Sequence, residues 1–401
     1  MKRLLYLLIS SVVVLMFVGS FCTAYADELE SQKDATFQKS YLKGEIKYKV
    51  DKSNLNKYKD KLTLGLAEII RTWDYTANVY ETIHDYTPIQ EYIDSTEKYK
   101  GSARVNKKGG LENYTAGLPF PDPKTGIEVM YNYEYKYSGD DFWWTTFQFN
   151  SISATGKIKV IKSNYKRLAY QGRLTLGTIP NPDKVELKEI LAFTYPEDIA
   201  GLALLTVRYQ DGTKADDAWM YIPTIRRIRR ISTAQRSDTF GGTDYTWDDA
   251  RGLSGKIAGY NWTMIGKKEM IVPYHALSND YRFKGKTPHP DDIRYELREV
   301  WIVDGVNKER DYSYGKIRFY IDPDSWAICA SDHWDRRGTL WKYNEVGLVV
   351  DKKDHVMFQY YQNMFDLIAK RSTLSTKTAL KTNLGLKETD FTTTKLQSQS
   401  R

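Results

Sequence analysis

The chain has 401 residues, 27% of them charged and 14% aromatic, with a formal net charge of +8. That length suits one large β domain or two small ones. So modest a basic excess, with no stacking platform between its arginines, argues against nucleic acid as a partner.

The first element is a leader. Lys2 and Arg3 precede an apolar run from Leu4 to Phe21, and Ala24-Tyr25-Ala26 supplies a small-x-small site. Residues 1–26 therefore read as a secretory signal peptide cleaved after Ala26. The run is short for a membrane span and is interrupted by Ser10, Ser11 and Ser20. Phe21 stands where a lipobox would need a small residue before Cys22, which favours a soluble product. A periplasmic protein is expected, with association to the outer membrane left open. Removal of the leader takes the charge to about +6, still compatible with anionic lipid headgroups. It also leaves one cysteine, Cys329, so no internal disulfide can form.

Residues 27–60 form an N-terminal segment that is polar at its start. Lys61–Trp73 predicts a helix, because Leu62, Leu66, Ile69, Ile70 and Trp73 share one face. A second helix is expected around Val79–Asp85. A third is expected to start at Thr87, with Pro88 at its first position and Gln90 completing a capping box. Glu128–Tyr137 alternates, placing Val129, Tyr131, Tyr133, Tyr135 and Tyr137 on one face of a predicted strand. Ser138–Asp141 turns the chain into a strand over Phe142–Asn150, with Trp143, Phe147 and Phe149 on a shared face. Further strands are expected at Lys157–Lys162, Leu202–Tyr209, Ala215–Ile222, Arg227–Ser232, Tyr295–Val303, Tyr314–Ile321 and Trp326–Ser331. Asp211-Gly212 and Asp322-Pro323-Asp324 are hairpin-type turns. Helices followed by an antiparallel meander predict an α+β fold with one strongly curved sheet. Residues 61–371 read as its β-rich domain. Residues 372–401, rich in Ser, Thr and Lys, read as a disordered tail.

The densest cation cluster lies in DDAWMYIPTIRRIRRISTAQRSDTFGGTDYTWDD, Asp216–Asp249. Arg226, Arg227, Arg229 and Arg230 must be paired or solvated, since an isolated buried charge is very costly. Asp238, Asp244, Asp248 and Asp249 are the expected partners, forming a tightly specified corner. A solvated basic strand is the weaker reading, because Ile225, Ile228 and Ile231 interrupt the charge.

Catalytic signatures are sparse. Gly252-Leu253-Ser254-Gly255 resembles a nucleophile elbow but carries Lys256 where the final glycine belongs, so a plain turn is expected. The five histidines fall at no metal-ligand spacing, and no metal or cofactor is expected. Asp332-His333-Trp334-Asp335 is the one compact constellation, for which structural hydrogen bonding outranks a metal or acid–base role. The aromatic strands read first as core. A sheet bent around a cavity would also use them, because sheltering an acyl chain is worth about 0.8 kcal/mol per CH₂.

Three longer segments carry a resemblance. They are the Asp216–Asp249 stretch continued through ARGLSGKIAGYNWTMIGKKE, ENYTAGLPFPDP before it, and YGKIRFYIDPDSWAICASDHWDRRGTLWK after it. Over roughly Lys61–Lys370 the chain resembles exported bacterial proteins described as a domain of unknown function or as outer membrane lipoprotein-sorting proteins. The resemblance implies a fold like the periplasmic lipoprotein carriers: a strongly curved antiparallel half-barrel with N-terminal helices packing in its concave side, here with a C-terminal elaboration. It also implies an envelope role beside a resistance-nodulation-division-type exporter or an outer-membrane barrel, and it brings no catalytic residues. The leading expectation is a non-enzymatic periplasmic carrier of lipid or another hydrophobic ligand. Its groove wall would be Tyr131, Tyr133, Tyr135, Trp143, Phe147, Trp219 and Tyr221, with Arg227 and Arg229 as headgroup or structural ion pairs. An envelope-directed hydrolase and a non-binding adaptor of an exporter complex are the alternatives.

Overall fold

A computed structural model describes residues 44–232, 236–275, 289–290 and 293–398. The expected leader and the start of the 27–60 segment lie outside them. In chain order the elements are β1 (Ile46–Val50), α1 (Leu55–Tyr58), α2 (Leu64–Trp73), β2 (Ala77–Tyr80), α3 (Gln90–Lys98), β3 (Arg104–Val105), β4 (Leu111–Glu112) and α4 (Gly126–Glu134). A first meander follows: β5 (Asp141–Ile152), β6 (Ile158–Ala169), β7 (Val185–Tyr195), β8 (Ala203–Tyr209), β9 (Asp217–Ile222) and β10 (Arg227–Ile231). After β11 (Tyr260–Pro273) comes a second: β12 (Arg294–Asn307), β13 (Lys316–Ile321), β14 (Ile328–Trp334), β15 (Leu340–Asp351), β16 (Val356–Asp366) and β17 (Arg371–Thr382). A short α5 (Thr393–Ser398) ends the described chain.

All but β3 and β4 belong to one sheet of fifteen strands, ordered β1-β2-β12-β13-β14-β15-β16-β17-β5-β6-β7-β8-β9-β10, with β11 on β12. Each meander is antiparallel throughout, and the sheet is not closed. The fold is thus α+β, mostly sheet with few helices. No described helix is long and apolar enough to cross a membrane.

The helix at Lys61–Trp73 forms for the reason its spacing implies: Leu66, Ile69 and Ile70 are buried on one face of α2. Thr63 accepts from the Leu66 amide. Asp332 on β14 accepts from the Leu64 and Gly65 amides at 3.1 and 2.8 Å, so a distant carboxylate completes the positive helix end. Tyr343 of β15 packs under Gly65.

Several expectations need correction. Val79–Asp85 is not helical; its start belongs to β2. The third helix begins at Gln90 rather than Thr87, with Ile89 at the N-cap. Glu128–Tyr137 is mostly α4, not a strand. A capping box between Thr125 and Glu128 starts it, and residues 129–134 are all buried, so alternating tyrosines carry no strand information there. On β5, a bulge between Trp144 and Phe147 shifts the register against β6. Phe142, Trp144, Phe147 and Phe149 are consequently the buried residues, and Trp143 turns away.

The expected disordered tail is the largest miss. Residues 371–382 form β17, hydrogen-bonded to β16 on one side and β5 on the other, which joins the two meanders. Its buried hydroxyls find partners: Thr373 donates to Asp244 at 2.9 Å and Ser375 to the Gln362 carbonyl at 3.2 Å. Beyond it, Phe391 and Leu396 are buried against β8 and β9.

A Cβ added to Gly65 would sit 2.3 Å from the Tyr343 ring. Gly65→Ala is expected to destabilise the protein by about 1–3 kcal/mol, although alanine normally improves a helix. Urea unfolding checks this; a stabilised variant would mean that α2 can lift off β15 freely.

Candidate functional site

The interior beside α4 is built on charge. Glu134, at the end of α4, faces Arg167 of β6 at 3.4 Å, Arg251 at 3.7 Å and Arg208 of β8 at 3.9 Å. Burial would raise the Glu134 carboxyl, but the Arg251, Arg167 and Arg208 guanidiniums together hold it below its ordinary value. Arg251 also meets Glu189 at 3.7 Å. Arg208 reaches Asp216 at 3.3 Å, and Asp216 meets Lys256 at 3.1 Å and Arg236 at 3.6 Å. Nearby Glu186 is pushed up to about 7 by burial, reinforced by Glu134.

Two spaces flank this cluster. An inner pocket of about 50 Å³ lies among buried apolar residues, including Phe142, Trp144, Leu348, Met357 and Phe358. Tyr133, Lys136, Arg167 and Arg251 also line it. An outer cleft of about 180 Å³ is walled by Tyr86, Tyr92, Ile93, Leu118, Tyr137 and Trp326. Lys136 lines both. Wall residues of the two spaces adjoin in the chain at 136–138 and again at 325–328, so the spaces lie side by side with Lys136 at their junction. Lys136 donates to the Tyr133 carbonyl at 2.9 Å. Burial, with help from Arg251, pulls its ammonium down to about 7.

The expected groove residues are dispersed. Tyr133 reaches the inner pocket, its hydroxyl donating to the Leu253 carbonyl at 2.7 Å with the Arg251 carbonyl 2.9 Å away. Tyr131 and Tyr135 line a different space of about 20 Å³ beside Glu186 and Arg208. Phe147 packs in an aromatic cluster with Trp144 and Phe149. Trp143 lies under the Lys166 ammonium, 4.7 Å away, on the other face of β5. Trp219 and Tyr221 pack with the cluster holding Phe391 and Leu396. Lys136 and Trp144 were missed, because a strand reading put Lys136 on the wrong face and an unbroken β5 put Trp144 opposite Phe147. The Thr125-x-x-Glu128 capping box was the signal that would have corrected the first.

The arginine corner is also corrected. Arg227 and Arg229 are exposed on β10, a terminal strand of the sheet, and Arg230 pairs with Asp217 of β9. The aspartates take other partners: Asp244 meets Arg371 at 2.7 Å, Asp248 meets Arg236, and Asp249 accepts from Tyr314 at 2.8 Å. The solvated basic strand, the weaker reading, is what forms. Asp332 and His333 do not converge. Asp332 is occupied by the α2 amides and the Tyr320 hydroxyl, while the His333 ring meets Ser331 at 2.9 Å. Burial pushes the Asp332 carboxyl up to about 6 against those bonds. Ser254 sits in a turn, donating to the Trp247 carbonyl.

Lys377 of β17 is buried, and its Nζ has no hydrogen-bond partner among the described residues. The Trp144 and Phe147 rings lie 4.9 and 5.0 Å from it. Burial pulls the ammonium down to about 7. A folded-state value below the unfolded one makes the penalty complete below that pH, fading as pH climbs toward about 10.4. Lys377→Met should therefore raise Tm by several degrees at about pH 6 and by much less at about pH 10. Thermal melts at both pH values check it; an equal gain at both would contradict a buried ammonium.

Comparison with known proteins follows the same lines. An uncharacterized protein of Pseudomonas aeruginosa is 28% identical over 377 residues, covering 88% of this chain and 81% of the relative. A solved domain from Vibrio parahaemolyticus, classed with outer membrane lipoprotein-sorting proteins, superposes with a TM-score of 0.52 at 19% identity, covering 68% of this chain and 98% of that one. A protein from Desulfovibrio piger of the DUF1329 family gives 0.51 at 16% identity, with the same two coverages. These likenesses establish the shared fold. The family model described as protein of unknown function (DUF1329) matches residues 49–397, and the chain belongs to that family.

Proposed function

We infer that this protein is a periplasmic carrier or binding protein that shelters a lipid or another hydrophobic molecule during envelope transport, without catalysis. The observation that carries the reading is the pair of adjoining spaces, an aromatic-walled outer cleft backed by an inner pocket with mainly apolar walls. Ligand sites are concave and mostly apolar, with a few placed polar groups. The fold shared with a lipoprotein-sorting domain supports the same reading. So does the arrangement of β11, which touches β14 and β15 as well as its partner β12, as a sheet bent into a half-barrel would require. A resistance-nodulation-division-type exporter and an outer-membrane barrel are the proposed partners.

Native mass spectrometry and lipid extraction of the purified protein test this. A co-purifying hydrophobic molecule is expected. Ile93→Glu, which puts a charge on the half-exposed cleft wall, should cut its occupancy severalfold with little change in Tm. A ligand-free protein that also fails to take up added dodecyl amphiphiles would reject the carrier reading.

A further inference from the structure

The inner pocket is small. At about 50 Å³ it is roughly a third of the 150 Å³ apolar cavity that accepts benzene, so it does not suit an alkyl chain. Its polar lining suits something else. Lys136, Arg167 and Arg251 all face it, and no carboxylate lines it. The two acids paired with these cations, Glu134 and Glu189, are not among its lining residues. Three basic side chains thus stand on the pocket wall with no acid on it, their partner acids lying behind them. The cations also have donors to spare. Arg167 Nε and Arg251 Nε are buried without a hydrogen-bond partner among the described residues, while Lys136 donates to one backbone carbonyl. Unmade hydrogen bonds of buried charged groups are costly, and an incoming anion would complete them.

We propose that the inner pocket receives the acidic head of a single-chain amphiphile, carboxylate or phosphate, whose hydrocarbon tail lies in the outer cleft past Lys136. The assignment rests on the carrier reading above and specifies the ligand class. It matches volume to chemistry: the head-sized space is the cationic one, and the larger space of about 180 Å³ is walled by Tyr92, Ile93, Leu118 and Trp326, with Glu97 and Asp324 also on its lining disfavouring an acid there. Lys136, at the junction of the two spaces, neutralises the head as it passes and marks the boundary between the two halves of the ligand.

Calorimetric titration of the full-length protein with dodecanoate, dodecyl phosphate, dodecanol and dodecyltrimethylammonium tests the assignment. The acids should bind about tenfold or more tightly than the alcohol, as one charge-assisted hydrogen bond would give, and the quaternary amine most weakly. The two acid arms distinguish a carboxylate head from a phosphate head. Lys136→Met should bring the acid-to-alcohol affinity ratio close to one, and Lys136→Arg should retain the preference. Equal binding of dodecanoate, dodecyl phosphate and dodecanol by the unaltered protein would overturn the headgroup assignment and leave the carrier standing. No binding of any probe would overturn both. These wild-type comparisons hold even if Lys136→Met fails to fold.

Discussion

One buried carboxylate organises the centre of this molecule. Glu134 ends a helix inside the protein, where an unpaired charge would cost several kcal/mol, and it is held by arginines from three separate places. Arg167 comes from β6, Arg208 from β8 and Arg251 from the turn over 247–252. Each contact ties a different part of the chain to the same carboxylate, so α4, the first meander and that turn are locked in one arrangement. The geometry is over-determined, and that is what allows Arg167 and Arg251 to keep unsatisfied donors beside a pocket. A looser scaffold would let them swing to a partner.

The tyrosine content has a related cause. Buried carboxylates recur through the second meander, and phenols hold many of them. Tyr312 donates to Asp248, Tyr314 to Asp249, Tyr320 to Asp332, and both Tyr295 and Tyr361 to Glu345. Each ring fills apolar volume while its hydroxyl satisfies an acid. Such a core is wetter in character than one built from leucine and valine, and it is rigid because each hydroxyl has a set direction. A chain with one buried, unpaired cysteine among the described residues gains its order this way rather than from a cross-link.

Legibility in the sequence followed burial. Where one side of an element faces water, the pattern survives: α2 shows its apolar face at Leu66, Ile69 and Ile70, and the hairpin turns at 211–212 and 322–324 sit between paired strands. Where an element is surrounded, the pattern is erased. Residues 129–134 of α4 are buried on every side, and the alternation of tyrosines among them mimicked a strand. The tail failed for the opposite reason. Ser372, Thr373 and Ser375 look solvated, yet they are fully buried in a central strand whose hydroxyls find partners across the sheet or on the 240–250 segment. The arginine cluster misled because proximity in the chain suggested pairing, while the aspartates were taken by Arg236 and Arg371. Of the expected groove residues, Tyr133 lines the inner pocket, while Tyr131 and Tyr135 line a separate small space. The neighbours of Tyr133 depend on long-range register and on a bulge that no local pattern announces.

The position of β17 has a consequence for how the protein is made. It is the last of the described strands in chain order, yet it is the seam between the two meanders. Until it arrives, β5 and β16 each present a bare hydrogen-bonding edge, the kind of surface that recruits other chains. Premature termination or C-terminal trimming into Arg371–Thr382 would therefore leave two sticky half-sheets instead of a slightly shortened domain. The pairing of β17 with β5 closes a loop of about two hundred residues, a costly step in chain entropy. The two half-sheets become one only when this strand is seated between them.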